Sequence, residues 1–253
     1  MRAKLPQYEH KIVVSPNWER QLRMMRQGPL VCTSIMFYRP VAERASLKGA
    51  YLLSAPHGVF MLHDVVVKRE NRHLFGEVVS FKELLRDHSL IFGYNRPYGI
   101  IYNRLLADYL GIPKGVELDA MDTLRRNKYL QSAPNISVRS GSDMIDGMIK
   151  MLLRGRVDYI LEYVFMLSYY KKRMGISDEL VTIPVTETQH HVSKIAYACS
   201  DTPAGQRAID AINGVLKAHR PIDEYKQALK LLVPKGREKL YWQAYEEMLH
   251  ITE

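Results

Sequence analysis

Two cysteines in 253 residues, Cys32 and Cys199, leave nothing for a C-x-x-C redox pair or a zinc ribbon. By themselves they read either as buried small hydrophobes or as one disulfide. No uninterrupted apolar run reaches the ~18 residues of a membrane-spanning helix. The opening MRAKLPQYEH has no apolar core, so the chain as written is expected to carry no secretory leader. G-x-S-x-G, Walker A, G-x-G-x-x-G and H-E-x-x-H are all missing, which removes the ready-made signatures of serine hydrolases, NTPases, dinucleotide enzymes and zinc proteases. Internal repeats and low-complexity stretches are missing too, which excludes a solenoid.

What is present is an ordinary globular composition, 47% hydrophobic and 25% charged, enough for one large domain or two modest ones. Lys and Arg outnumber Asp and Glu by 36 to 27, a formal charge of +9. The basic residues are scattered in short pieces (RENRH, LRRNK, YYKKR) instead of forming one stripe, so no nucleic-acid partner is expected. That charge reads instead as attraction of anionic ligands or as nothing specific.

Helix and strand patterns alternate, the mark of an α/β protein. SPNWERQLRMMRQG reads as a helix capped by Ser15 or Asn17, with Trp18, Leu22 and Met25 on one face and Gly28 at its end. PLVCTSIMF, GAYLLSAP and VFMLHDVVV read as strands, SFKELLRDH as a short helix and SLIFG as a strand. RPYGIIYNRLLADYLG is a helix with Pro97 near its first turn and Gly111 beyond its end. SGSDMIDGMIKMLLRG is a helix with Ser142 as cap, Ile145, Met148, Ile149 and Leu152 on its apolar face, and Gly155 as its stop. Strand VDYILEYVF follows, then LVTIPV and HHVSKIAYACS. Thr202 and Pro203 open a helix with Ile209, Ile212 and Leu216 inward, and two more helices near 222–232 and 236–250 close the chain.

Several constellations have bland explanations. His190 and His191 are neighbours that a strand would turn to opposite faces, one buried and one partly exposed, which does not suit a metal. Glu117, Asp119 and Asp122 read as acids at a helix entry, favoured by the dipole. Asp158, after Gly155 and Arg156, reads as an anchor for the strand it opens. Neither metal nor cofactor is expected.

The pieces in order, VAER (41–44), LLSAP (52–56), FKELLRDHSLIFG, LLRGRVDYILEY and CSDTPAGQRAIDAINGVL, resemble the bacterial family 3 solute-binding proteins, with the type 2 periplasmic-binding-protein fold. The resemblance covers most of the chain, although its motifs are individually loose. It implies two α/β lobes joined by two crossings near 68–72 and 180–187. Lobe I would comprise 1–70 and 183–253, lobe II 71–182, with the ligand in the cleft between them. The family's usual opening strand, helix and leader have no counterpart here, which implies a start missing from the front.

The resemblance also implies the chemistry. Arg44 matches the arginine that grips a ligand carboxylate. Arg39 replaces the family's small hydroxyl residue. Lobe II would offer Tyr94, Asn95, Arg96 and Tyr98 around a helix N-terminus, with Glu162 or Tyr163 where the family holds the ligand amine. Strand alternation sets Glu162 and Tyr163 on opposite faces unless a bulge intervenes. The implied protein is a periplasmic monomer that is not an enzyme. It captures a small polar or anionic, amino-acid-like solute by hinge closure and delivers it to an inner-membrane ABC transporter permease. A sensor domain of a regulator shares the fold, as does a lyase that would need Glu162 as its acid. Both cysteines fall on lobe I strands, which predicts Cα atoms within ~7 Å.

Overall fold

The computed structural model describes residues 2–13, 15, 18–118, 121–139, 144–176 and 178–252. Asn17, Asp119 and Ser142, named above, lie outside them. In chain order come α1 (Trp18–Gln27), β1 (Cys32–Phe37), β2 (Leu52–Met61), β3 (Asp64–Lys68), α2 (Phe81–Arg86), β4 (Phe92–Tyr94) and α3 (Ile100–Tyr109). Then follow α4 (Thr123–Gln131), β5 (Ile136–Val138), α5 (Met144–Leu153), β6 (Tyr159–Glu162), α6 (Val164–Met174) and β7 (Leu180–Ile183). The chain closes with β8 (Val192–Cys199), α7 (Pro203–His219), α8 (Asp223–Leu229) and α9 (Glu238–Leu249). No helix among the described residues is long and apolar enough to cross a membrane.

The chain divides into an outer unit, 1–61 with 192–253, and a middle unit, 62–191. The boundaries implied by the resemblance fall later and earlier, at 70/71 and 182/183. The reason for the difference is pairing: β3 and β7 both belong to the middle sheet, where β3 lies between β6 and β7.

In the outer unit the strand order is β1-β8-β2, all antiparallel. Cys32 and Cys199 are direct cross-strand partners and form a disulfide, with Cα atoms 4.1 Å apart. Strand β2 runs straight through Pro56, where two separate strand patterns meet in the sequence. Its register shifts around Pro56, and the backbone groups displaced there find side chains. Ala55 N–H donates to Asn213 Oδ1 at 2.8 Å, Arg220 donates to the Pro56 carbonyl at 2.5 Å, and the Tyr225 hydroxyl donates to the His57 carbonyl at 2.7 Å. Proline is tolerated because β2 is an edge strand. Thr202 caps α7 by accepting from Gly205 N–H, and Ile209, Ile212 and Leu216 face inward as the 3.6-residue period requires. A Cβ on Gly205 would lie 1.9 Å from the Ser200 carbonyl, so that close approach needs glycine.

In the middle unit the order is β5-β4-β6-β3-β7, with β5, β4 and β6 parallel and β3 antiparallel to both neighbours. Val65 and Val67 pack into one apolar cluster and Val66 into another, as do Tyr159 and Leu161 against Ile160. A sheet covered on both faces explains why these strands read as unbroken apolar runs. Gly155 ends α5 at φ +66°, and Asp158 accepts from Ile91 N–H at 2.7 Å while its own N–H returns to the Ile91 carbonyl. Asp158 thus anchors the head of β6 to that of β4. Glu187 reaches the first turn of α2, accepting from Phe81 N–H, Lys82 N–H and the Ser80 hydroxyl.

Two expectations are corrected. The strand pattern VDYILEYVF ends at Glu162, and Val164–Met174 is helix, closed by Lys171, Lys172, Arg173 and a left-handed Gly175. Its aromatic and β-branched start imitates a strand. His190 and His191 lie in a turn before β8, both exposed, so neither sits on a strand face. Helix α4 begins at Asp122, one of the acids expected at a helix entry, which caps it by accepting from Arg125 N–H.

Candidate functional site

Two of the expected site arginines, one in each unit, are held by hydrogen bonds beside tyrosine rings. In the outer unit Arg44 lies on the 3-10 turn Val41–Leu47 that follows β1. Its Nε donates to the Arg39 carbonyl at 2.9 Å and one terminal nitrogen to the Leu53 carbonyl at 3.1 Å. The guanidinium carbon stands 5.3 Å from the centre of the Tyr38 ring. The remaining nitrogen, Nη2, is buried and makes no hydrogen bond among the described residues. Carbonyls therefore fix the fork while leaving one donor unspent. Arg39 contributes through its backbone, and its side chain is exposed.

In the middle unit Arg96 stands in the loop between β4 and α3. Its Nη2 donates to Glu162 Oε1 at 2.6 Å, and Tyr163 N–H donates to the same oxygen at 2.8 Å. The guanidinium lies 5.8 Å from the Tyr98 ring centre and 5.9 Å from that of Tyr163. The Glu162 side chain is 1% exposed and that of Arg96 is 22% exposed. Arg96 is pushed above its usual pKa: burial works against the charged form, but Glu162 outweighs it. Glu162 and Tyr163 converge on one guanidinium because β6 ends between them. Tyr163 is already the cap of α6, so strand alternation no longer separates the two.

The loop backbone is pinned. Tyr98 N–H donates to Asn103 Oδ1 at 3.1 Å, its hydroxyl donates to Asn95 Oδ1 at 2.8 Å, and Asn95 N–H donates to the Tyr98 hydroxyl at 3.4 Å. Two amides of the expected anion-binding helix start are thus already used inside the protein. Tyr94 packs edge-on to Phe92 and Tyr98 in the core.

His63 does not stand out in the sequence. Its signal is a His-Asp pair inside the apolar run VFMLHDVVV. The ring stacks on Tyr163 at 3.8 Å and meets Tyr98 and Tyr102 edge-on at 5.2 and 5.7 Å. It is 1% exposed, and neither ring nitrogen has a hydrogen bond among the described residues. Burial first, and Arg96 second, hold its pKa well below the ordinary histidine value. The Tyr102 hydroxyl donates to the His63 carbonyl at 2.5 Å and lies 2.6 Å from the Thr188 hydroxyl. One helix residue so ties together the segments where the chain enters and leaves the middle unit. Asp64, the next residue, stands opposite Glu162 in the ladder and is also buried.

No protein-family model matches the chain, and no curated protein matches it in sequence. Solved structures do match. The GluR0 ligand-binding core in complex with L-glutamate superposes with a TM-score of 0.55 at 14% identity, covering 92% of this chain and 86% of that one. The probable amino-acid ABC transporter extracellular-binding protein ytmK of Bacillus subtilis gives 0.54 at 14%, over 91% and 83% of the two chains. A histidine kinase sensor domain with similarity to periplasmic binding proteins gives 0.53 at 11%, over 85% and 75%. At such identities the likeness is one of fold: the mixed α/β architecture with its two sheets is the type 2 periplasmic-binding-protein fold.

Proposed function

We propose that this chain binds a small, amino-acid-like solute and makes or breaks no bond in doing so. The observation that carries the reading is the Arg44 fork, two of whose nitrogens are braced on carbonyls while the third is buried and unspent. An unspent buried donor is costly, and a carboxylate is the group that best fits a guanidinium. The shared fold with a glutamate complex and a probable amino-acid transporter component supports an amino-acid-like solute. We assign solute contact to Arg44 in the outer unit and to the cluster that Arg96 forms with Glu162 and Tyr163 in the middle unit. Arg39, Tyr94, Asn95 and Tyr98 serve by shaping those two places.

Hinge closure and delivery to an ABC transporter permease complete the proposal. The setting is the periplasm, an oxidising compartment in which a disulfide such as Cys32–Cys199 persists. A lyase is disfavoured, because Glu162 Oε1 already accepts from Arg96 and Tyr163. Calorimetric titration with a panel of amino acids tests the reading. Arg44→Ala is expected to weaken the bound solute by about 2–5 kcal/mol, and an unchanged affinity would refute the assignment. A sensory role is the second reading, favoured by the likeness to a kinase sensor domain. Solute-dependent uptake with a reconstituted permease, against solute-dependent kinase activity, separates the two.

A further inference from the structure

We propose that the Arg96 guanidinium is a resident plug in a site shaped for an organic cation, and that the solute's ammonium or guanidinium group enters by displacing it from Glu162. The inference rests on the reading that this cluster touches the solute, and what it adds is a built-in competitor at the place where the resemblance implies a ligand amine.

The receptor half of the cluster is rigid. Glu162 ends β6, in the ladder opposite Asp64, and Tyr163 N–H aims its Oε1 at 2.8 Å. The Tyr163 ring is held by its neighbours, stacked on His63 at 3.8 Å and on Phe165 at 5.5 Å. A buried carboxylate oxygen with two tyrosine faces within 6 Å of the bound charge is the chemistry that recognises an alkylammonium or a guanidinium. Arg96 supplies such a group from within.

The plug half can leave. Arg96 is the one member of the ion pair that reaches solvent, at 22% exposure against 1% for Glu162. It stands on a loop, pinned on either side by Asn95 and Tyr98. Only its side chain need turn outward, which restores rotamer freedom. His63 provides the second sign of an unfilled role. It is 1% exposed and has two ring nitrogens without hydrogen bonds among the described residues. A neutral imidazole keeps one acceptor nitrogen, able to take an N–H that Arg96 does not direct there.

The test uses the whole chain and two probes, methylguanidinium and L-arginine. Arg96→Ala should melt below wild type, and ~10 mM methylguanidinium should raise its Tm by about 3 °C or more while wild type moves by less than about 1 °C. Calorimetry should show L-arginine binding about ten-fold tighter to Arg96→Ala than to wild type, because the competitor is gone. The double variant Arg96→Ala/Glu162→Gln should lose the methylguanidinium shift. Equal shifts in wild type and Arg96→Ala, a shift that survives in the double variant, or L-arginine binding weakened by Arg96→Ala would each overturn the plug. Should Arg96→Ala not fold, Arg96→Gln keeps most of the volume and is judged by the same three readouts. Failure of the solute reading shows elsewhere: unchanged affinity in Arg44→Ala sinks that reading whatever Arg96→Ala does.

Discussion

Arg44 and Arg96 both lie against tyrosine, 5.3 Å from the Tyr38 ring in the outer unit and 5.8 Å from the Tyr98 ring in the middle unit. Their hydrogen bonds set them apart. Arg44 is held by two main-chain carbonyls, which orient it without neutralising it. Arg96 is held by a buried carboxylate, which neutralises it and draws it down. The first arrangement leaves one buried donor of the cation unspent among the described residues. The second hides the cation against a buried carboxylate. Similar side chains in similar aromatic settings thus have opposite consequences, decided by whether the acceptor carries charge.

The comparison is broken most forcefully at the ion pair. Arg96→Ala leaves Glu162 buried without its counter-ion and should cost about 3–5 kcal/mol in chemical denaturation. Arg44→Ala leaves only two carbonyls to rehydrate and should cost about 1 kcal/mol. Equal losses would show that the two arginines are not held differently. Removing the outer unit's cross-link, with Cys32→Ala and Cys199→Ala together, should cost about 2–5 kcal/mol by freeing the unfolded chain. The middle unit's nearest equivalent is the Tyr102 hydroxyl. Tyr102→Phe should cost about 1–3 kcal/mol, read from the denaturation midpoint at unchanged m-value.

A titration sharpens the comparison further, since each unit buries one histidine. Burial lowers the pKa of His57 in the outer unit, partly offset by the hydrogen bond from its ring to the Ser34 carbonyl at 2.7 Å. His63 is lowered more strongly and lacks any such bond. A histidine depressed in the folded state favours folding fully above the unfolded value of about 6.5, and that contribution is lost as pH falls below it. Stability should therefore decline in acid, by up to about 1.4 kcal/mol per pH unit for each histidine. His63→Phe should flatten that decline more than His57→Phe, and the reverse order would show that burial does not govern the difference.

Much of the fold is legible in local pattern. Gly155 stops α5 and Asp158 anchors β6, as the joint in RGRVDYILEY announces. Thr202 and Pro203 start α7 for reasons carried within three residues. The failures are those of competing local signals. Val164 and Phe165 carry strand propensity yet begin a helix, because Tyr163 turns the chain and a basic last turn with Gly175 completes the helix. His190 and His191 read as strand because apolar alternation begins just after them. In the sites, Arg44 stands out through its resemblance to known binders, and Glu162 and Tyr163 through the departure from it. His63 stays hidden, because a histidine in an apolar run says nothing of the three tyrosines that will surround it.

The sequence by itself determined the alternation of helix and strand, the apolar runs that become doubly covered strands, and the glycine and threonine punctuation between them. Those features depend on neighbours within one or two turns. Only the tertiary structure decided that Cys32 and Cys199, expected to lie close, form a disulfide, that β3 and β7 join the middle sheet, and that Arg96 covers Glu162 across 66 positions of sequence. Such pairings depend on which surfaces the sheets bring face to face, and no local pattern encodes the partner of a charge.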